Sequence, residues 1–195
     1  MCNEMNDLYL IYRRHQGAKS AISPFLPRLR ELAAGCNHVV EFGVKGGASS
    51  SALLLGAERV TSYDIATTPD ALALQAIVGE RWDYRIEDSR TARVPECDML
   101  FVDSLHTFAQ VRAELVHADQ VTRRLVFHDV TTFGEVGAQG ETGRQSWIYV
   151  AGRGSCPDAH LGIRPAIDEL MIRDPSWRIV ERHTDSHGLL VLERR

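Results

Sequence analysis

Short apolar runs alternate with longer segments of helical periodicity along most of this chain, and Gly, Pro and Asp mark the joins. His38 to Phe42 reads as a buried strand, Gly43-Val44-Lys45-Gly46-Gly47 as the turn that ends it, and Ser49 to Leu55 as the following helix. Val60 to Ile65 and Trp82 to Ile86 are expected strands on either side of a helix over Pro69 to Val78. The rhythm continues with a strand at Cys97 to Val102, a helix from Thr107 to Val121 and a strand at Arg124 to Phe127. Strands alternating with helices at this spacing predict right-handed βαβ units around a mostly parallel sheet.

Two regions change the rhythm. Residues 131–162 are rich in Gly and polar side chains, and a loop of that length inside a domain is functional or disordered, so an insertion or lid is expected there. Trp147 and Tyr149 give it aromatic surface, either to close over a substrate or to anchor the loop, and Arg144 and Arg153 could meet an acidic substrate or stay solvated. Beyond it a helix is expected at Ile163 to Arg173 and strands at Ser176 to Arg182 and Gly188 to Leu192. Their short connection, His183 to His187, predicts an antiparallel hairpin. A helix around Pro24 to Ala34 belongs to an N-terminal helical extension over residues 1–36. The expected fold is therefore α/β and doubly wound, with a mostly parallel seven-stranded sheet and an antiparallel C-terminal hairpin.

Bulk properties narrow the partners. A chain of 195 residues suits one domain with a sizeable core. A formal net charge of −4, with 44% hydrophobic and 25% charged residues, argues against a general polyanion binder, so nucleic acid is not an expected partner. No apolar run approaches the roughly 18 residues of a membrane helix, and Met1 to Asp7 lacks a secretory signal's basic start and apolar stretch. The expected compartment is the cytoplasm, and a homo-oligomer is compatible with everything above. Cys2, Cys36, Cys97 and Cys156 form no CxxC pair and read as buried or incidental thiols.

In VVEFGVKGGASSSALLL a strand ends in a glycine turn that opens a helix, the setting in which backbone approaches a ligand closely and a helix N-terminus faces it. About twenty residues on, at the end of the next expected strand, stands Asp64, where a carboxylate can accept both hydroxyls of a ribose. Lys45 occupies the second glycine position of GxGxxG, so tight packing of a pyrophosphate is disfavoured. What remains, E-x-G-x-x-G-G, resembles the first motif of class I S-adenosylmethionine-dependent methyltransferases, carried here by Glu41 and Gly43. The resemblance implies a Rossmann-like fold, S-adenosylmethionine as cofactor, and cofactor contacts at Glu41, Gly43, Gly46, Gly47, Ser49, Asp64 and Asp103. It also places Asp88, after the third strand, beside the adenine, although an Asp-Ser pair is equally an ordinary turn or cap.

LFVDSLHTF and LVFHDV each run an apolar strand into an Asp and a His. Both expected strands end at the carboxyl edge of the sheet, where open α/β folds bind ligands, so Asp103 and Asp129 should share one crevice. Two carboxylates brought together repel unless a proton or cation lies between them, which points to a divalent ion. His106, three residues after Asp103, could take a proton from a substrate hydroxyl or serve as a helix cap. His117, His183 and His187 fall outside this set and read as surface, packing or hairpin residues.

LFVDSLHTFAQVRAEL, LVFHDV and GIRPAIDEL look like the small-molecule methyltransferases grouped with macrocin O-methyltransferase and the cephalosporin hydroxylase family, over about Val39 to Leu192. That resemblance implies catalytic roles for Asp103 and His106, His106 being the base, and Mg2+ or another divalent cation held by Asp103, Asp129 and the residue at position 128. The metal-dependent members carry an acid where this chain has His128, and imidazole is a poor magnesium ligand. The expected activity is methyl transfer to a hydroxyl of a small molecule, a sugar or natural product. The alternatives are a metal-dependent hydroxylase using a two-histidine, one-carboxylate iron site, and a module that binds the cofactor without catalysis.

Overall fold

The computed structural model of the chain describes residues 2–138 and 160–195. The N-terminal extension holds α1 (Cys2–Gln16), a 3-10 turn at Ser23–Phe25 and α2 (Leu26–Ala33). Of the two helices, α2 is the one that the expected helix around Pro24 to Ala34 covers. Leu8 and Tyr12 of α1 are nevertheless buried in the same core as Leu26 and Leu29 of α2. The alternating part follows as β1 (His38–Phe42), α3 (Ala48–Gly56), β2 (Arg59–Asp64), α4 (Pro69–Val78), β3 (Trp82–Ile86), β4 (Cys97–Val102), α5 (Phe108–Glu114) and β5 (Val121–His128). It closes with α6 (Arg164–Arg173), β6 (Trp177–His183) and β7 (Leu189–Arg194).

The sheet has seven strands in the order β3-β2-β1-β4-β5-β7-β6, parallel throughout except for β7, which runs antiparallel to both β5 and β6. This is the Rossmann-like, doubly wound architecture with a reversed hairpin that the pattern predicts. Strand order reverses between β1 and β4, and in open α/β sheets that switch point, at the carboxyl ends of the strands, is where a crevice opens.

Alternation along the strands loads both faces. Val39, Val60, Met99, Phe101, Val126 and Val191 pack under α1 to α4. Val40, Phe42, Leu100, Val102, Leu125, Phe127, Leu190 and Leu192 pack under α5 and α6. A strand buried on both sides must be apolar at nearly every position, which is why the central runs are continuous.

One boundary differs from the periodicity. The helix expected over Thr107 to Val121 ends at Glu114, continues as a 3-10 turn over Leu115–Gln120, and yields Val121 to β5. Pairing of Val121 with Cys97 draws that residue into the sheet. Within the expected insertion, Val136 bridges Leu161, and the Ala138 N–H donates to the His106 carbonyl. Arg144, Trp147, Tyr149, Arg153 and Cys156 lie outside the described residues. No helix among the described residues is long and apolar enough to cross a membrane.

Candidate active site

The turn after β1 is shaped by what lies beneath it. Gly43 has φ +90°, and a Cβ there would stand 2.2 Å from the backbone oxygen of Asp103 and 2.7 Å from its carbonyl carbon. Only glycine lets the β1 turn touch the end of β4 this closely, a contact that the Asp103 N–H reinforces by donating to the Phe42 carbonyl at 2.9 Å. Lys45, standing at the second glycine position of the dinucleotide pattern, adopts φ 50°, the left-handed region that side chains resist. Gly47 (φ +78°) then opens α3, and Gly46 faces free space, with nothing within 4 Å of a Cβ built on it.

Asp64, at the end of β2, braces this turn. Its Oδ2 accepts the N–H groups of Val44 at 2.8 Å and Lys45 at 2.9 Å, and Oδ1 accepts the Ala66 N–H at 3.3 Å. A carboxylate has about four lone-pair sites, so capacity for a ligand's hydroxyls remains. An apolar flank that the motifs do not reveal lies beside it. Ile65 and Ile86 are 50% and 54% exposed, and Ile86 pairs directly with Asp64 across β2 and β3. A large apolar residue next to an acid at two neighbouring strand ends, Asp64-Ile65 and Ile86-Glu87, is the signal in the sequence.

Two expected cofactor contacts turn inward instead. Glu41 is wholly buried, and its carboxylate accepts hydroxyl hydrogens from Ser49, Ser50 and Ser62, each at 2.6 Å. Ser62 is its register neighbour on β2, and its hydroxyl also accepts the Trp82 indole N–H at 2.8 Å. Glu41 and Ser49 therefore hold the start of α3 onto the strand and do not line the crevice. Burial pushes the Glu41 carboxyl up to about 7, against the three hydroxyls, which favour the charged form.

Asp88 follows β3 and is taken by its own turn: Arg90 places Nε 3.1 Å from Oδ1 and a terminal guanidinium nitrogen 2.9 Å from Oδ2. The adjacent Ser89 donates to Glu114, a second fully buried carboxylate, which also accepts from Gln110 and from Ser104. Ser104 follows Asp103, so Glu114 ties the turn after β3 to the end of β4. His117 packs as expected, edge-on to Phe42 at 5.9 Å, with Nε2 3.0 Å from the Ser89 carbonyl.

Asp103 and Asp129 meet at the carboxyl edge, as the two strand ends predict. His106 Nε2 lies 3.2 Å from Asp103 Oδ1 and 3.0 Å from Asp129 Oδ2. His128 Nδ1 lies 3.0 Å and 3.3 Å from the same two oxygens. His106 stacks on Phe133 with centroids 5.2 Å apart, whereas the His128 ring is sealed behind Phe25, edge-on at 5.8 Å. Burial alone would raise the Asp103 carboxyl, but hydrogen bonds from His106 and His128 outweigh it and hold the group down at about 2. His128 is the converse case. Burial opposes its charge, yet the two carboxylates push its imidazole up to about 10.

His187, set aside on sequence grounds, belongs to this cluster. Its Nδ1 is 2.9 Å from Asp129 Oδ1, its ring is half exposed, and its backbone oxygen accepts the Thr131 N–H at 2.8 Å. Asp129 has φ 63° and His187 φ 72°, so two non-glycine residues in contact both occupy the left-handed region. Such strain, of order 1–3 kcal/mol each, persists only where surrounding structure imposes it, and it collects at functional sites. His183 stays with Glu181, at 3.2 Å.

Among the described residues, Asp103, His106 and Asp129 bring one ligand atom each within 4.8 Å of one another, and His128, the third expected ligand, sets its Nδ1 against the same two carboxylates from the buried side. A hard ion such as Mg2+ takes a near-octahedral shell of oxygens, of which two carboxylates would supply part and water the rest, while the imidazoles beside them are poor ligands for it. The iron alternative needs two histidines and one carboxylate; His106 Nε2 and His128 Nδ1 do meet at Asp103 Oδ1, at 3.2 Å and 3.0 Å, with Asp129 as a second carboxylate beyond that triad.

No protein-family model and no curated protein matches the chain in sequence. Solved structures match its fold. It is similar to the 1,6-didemethyltoxoflavin-N1-methyltransferase of Burkholderia thailandensis, bound to 1,6-didemethyltoxoflavin and S-adenosylhomocysteine, with TM-score 0.63 and 15% identity over 97% of this chain and 86% of that one. The S-adenosylhomocysteine-bound magnesium protoporphyrin IX methyltransferase of Synechocystis PCC 6803 aligns at TM-score 0.59 and 16% identity, covering 96% of this chain and 94% of that one. An O-methyltransferase of Bacillus cereus in complex with S-adenosylhomocysteine aligns at TM-score 0.57 and 16% identity, covering 99% and 91%. The chain thus has the fold of the class I methyltransferases, and the macrocin-type grouping is not distinguished from the wider class.

Proposed function

We propose that this protein transfers a methyl group from S-adenosylmethionine to a hydroxyl of a small molecule. One observation carries the reading: the glycine turn and the carboxylate-histidine cluster are in direct contact, through Gly43 against the Asp103 backbone. A donor held by the turn and an acceptor held by the cluster would therefore meet at the same strand end.

The residues fit the cofactor. Gly43 and Gly47 shape the turn so that Gly46, with open space beside it, could face its methionine end, Asp64 has lone pairs left for ribose hydroxyls, and Ile65 and Ile86 offer apolar surface to a purine bordered by the Asp88 turn. When bound, the cofactor supplies a methyl group on a positively charged sulfur. The chain's own part is orientation and proton removal, which together account for most of what such a site must do. His106 Nε2 donates to the carboxylates, so its lone pair is at Nδ1, and that atom would take the acceptor's proton. Asp103 and Asp129 would stabilise the resulting imidazolium, and His187, half exposed on Asp129, would border the acceptor. Both N- and O-methyltransferases share this fold, and nitrogen is the second reading. The paired carboxylates facing a histidine favour oxygen, because a hydroxyl must lose its proton whereas a neutral amine can attack with its own lone pair.

Incubation with methyl-labelled S-adenosylmethionine and a panel of sugars, phenols and amines tests this. Label is expected on a hydroxyl oxygen; label confined to nitrogen would favour the second reading, and none on any acceptor would count against transfer. With a converted acceptor in hand, His106→Ala should lower kcat by about 100-fold or more while S-adenosylhomocysteine affinity stays within about twofold.

A further inference from the structure

Two carboxylates brought together need a proton or a cation beside them, and at the carboxyl edge a buried side chain contacts both. Asp103 Oδ1 and Asp129 Oδ2 are the oxygens a shared ion would bridge, and His128 Nδ1 lies 3.0 Å from the first and 3.3 Å from the second. Ionised carboxylate oxygens only accept hydrogen bonds, so Nδ1 must carry the hydrogen and donate to both. Of the remaining oxygens, Asp129 Oδ1 faces His187 Nδ1 at 2.9 Å. Three of the four carboxylate oxygens are thus met by imidazole nitrogens, His106 adding its Nε2 to the two central ones.

Neither His128 nor its hydrogen is easily displaced. The side chain is 3% exposed, and Phe25, from the 3-10 turn before α2, packs edge-on against the ring. A hard cation arriving from the crevice would have to share its two oxygens with an N–H pointed at them, strip that proton to gain a nitrogen it binds poorly, or force a buried ring out past Phe25, and each of these weakens its binding.

We infer that His128 replaces a divalent cation in this site: its Nδ1–H holds Asp103 and Asp129 together, and the acceptor half of the crevice works without a metal. His128 is on this account a positioning residue that never touches the acceptor. The inference rests on reading this edge as the acceptor side of a methyltransferase.

The test is a titration of the purified full-length protein with Mn2+, followed by electron paramagnetic resonance, and with MgCl2 by calorimetry. Wild type should bind neither ion specifically below millimolar concentration. His128→Asp, which puts a third carboxylate against the other two, should gain a single Mn2+ site at least about tenfold tighter than anything in wild type. A wild-type micromolar Mn2+ site that disappears in Asp129→Asn would overturn the inference, and so would a folded His128→Asp protein that gains no site. The wild-type titration decides even if His128→Asp does not fold. S-adenosylhomocysteine binding, measured on the same samples, reports separately on the methyltransferase reading: its absence would sink that reading and leave the metal result standing.

Discussion

Gly43→Ala should abolish S-adenosylhomocysteine binding and lower stability by about 2–4 kcal/mol. The new Cβ would fall 2.2 Å from the Asp103 oxygen and 3.0 Å from the Ser104 nitrogen, and both are backbone atoms that cannot swing aside. The φ of +90° adds the penalty that any side chain pays in that region. Relief requires the β1 turn and the end of β4 to separate, which opens the crevice at the point where donor and acceptor would meet. Gly46→Ala is the control, since nothing lies within 4 Å of its Cβ position. It should leave stability nearly unchanged and weaken cofactor binding by about tenfold, because the added methyl would project into the space the cofactor needs. Denaturant unfolding and calorimetry on the two variants separate the effects, and equal behaviour of both would refute the packing argument.

The second large effect is a pH dependence of stability set by Glu41. In the folded chain its carboxyl keeps a proton up to about 7, against 4.5 for an ordinary glutamate, so the fold favours the neutral form. Between those values the unfolded chain has released a proton that the folded chain retains, and stability must fall as pH rises. The loss should total about 3 kcal/mol and level off above pH 7, where both states are ionised. Glu41→Gln has no proton to release and should lack this decline, at the cost of mismatched hydrogen bonds to Ser49, Ser50 and Ser62. A further decline toward alkaline pH should be common to both proteins, because His128 holds its proton to about 10 against 6.5 when unfolded. Unfolding free energies measured from pH 5 to 9 check this, and parallel profiles for the two proteins would show that Glu41 is not the titrating group.

Features that depend on neighbours in sequence were legible before any coordinates. The glycine turn, Asp64 after the next strand, and the Asp-His pairs at two strand ends all follow from period and punctuation, and the parallel topology carries them to one edge. What escaped depends on pairing between distant segments. Glu41 looked like a ligand contact because the hydroxyls that enclose it come from the first turn of α3 and, by strand register, from Ser62 on β2. His187 looked remote because it lies 58 residues beyond Asp129, yet β7 inserts antiparallel between β5 and β6 and lays its start against the end of β5. The expectation of a metal ligand at position 128 rests on the strand-end motif, which gives no orientation. Only the geometry shows its Nδ1 turned onto both carboxylates with the ring closed off by Phe25.

On the proposed function the Gly43 turn and Asp64 form a nucleoside cofactor site joined to the Asp103 cluster. Calorimetric titration of the purified chain with S-adenosylhomocysteine, without added metal, addresses it most directly. One molecule bound per chain with micromolar or tighter affinity, lost in Gly43→Ala, is the predicted result; no binding of S-adenosylhomocysteine or S-adenosylmethionine at millimolar concentration to a folded wild-type protein would contradict it.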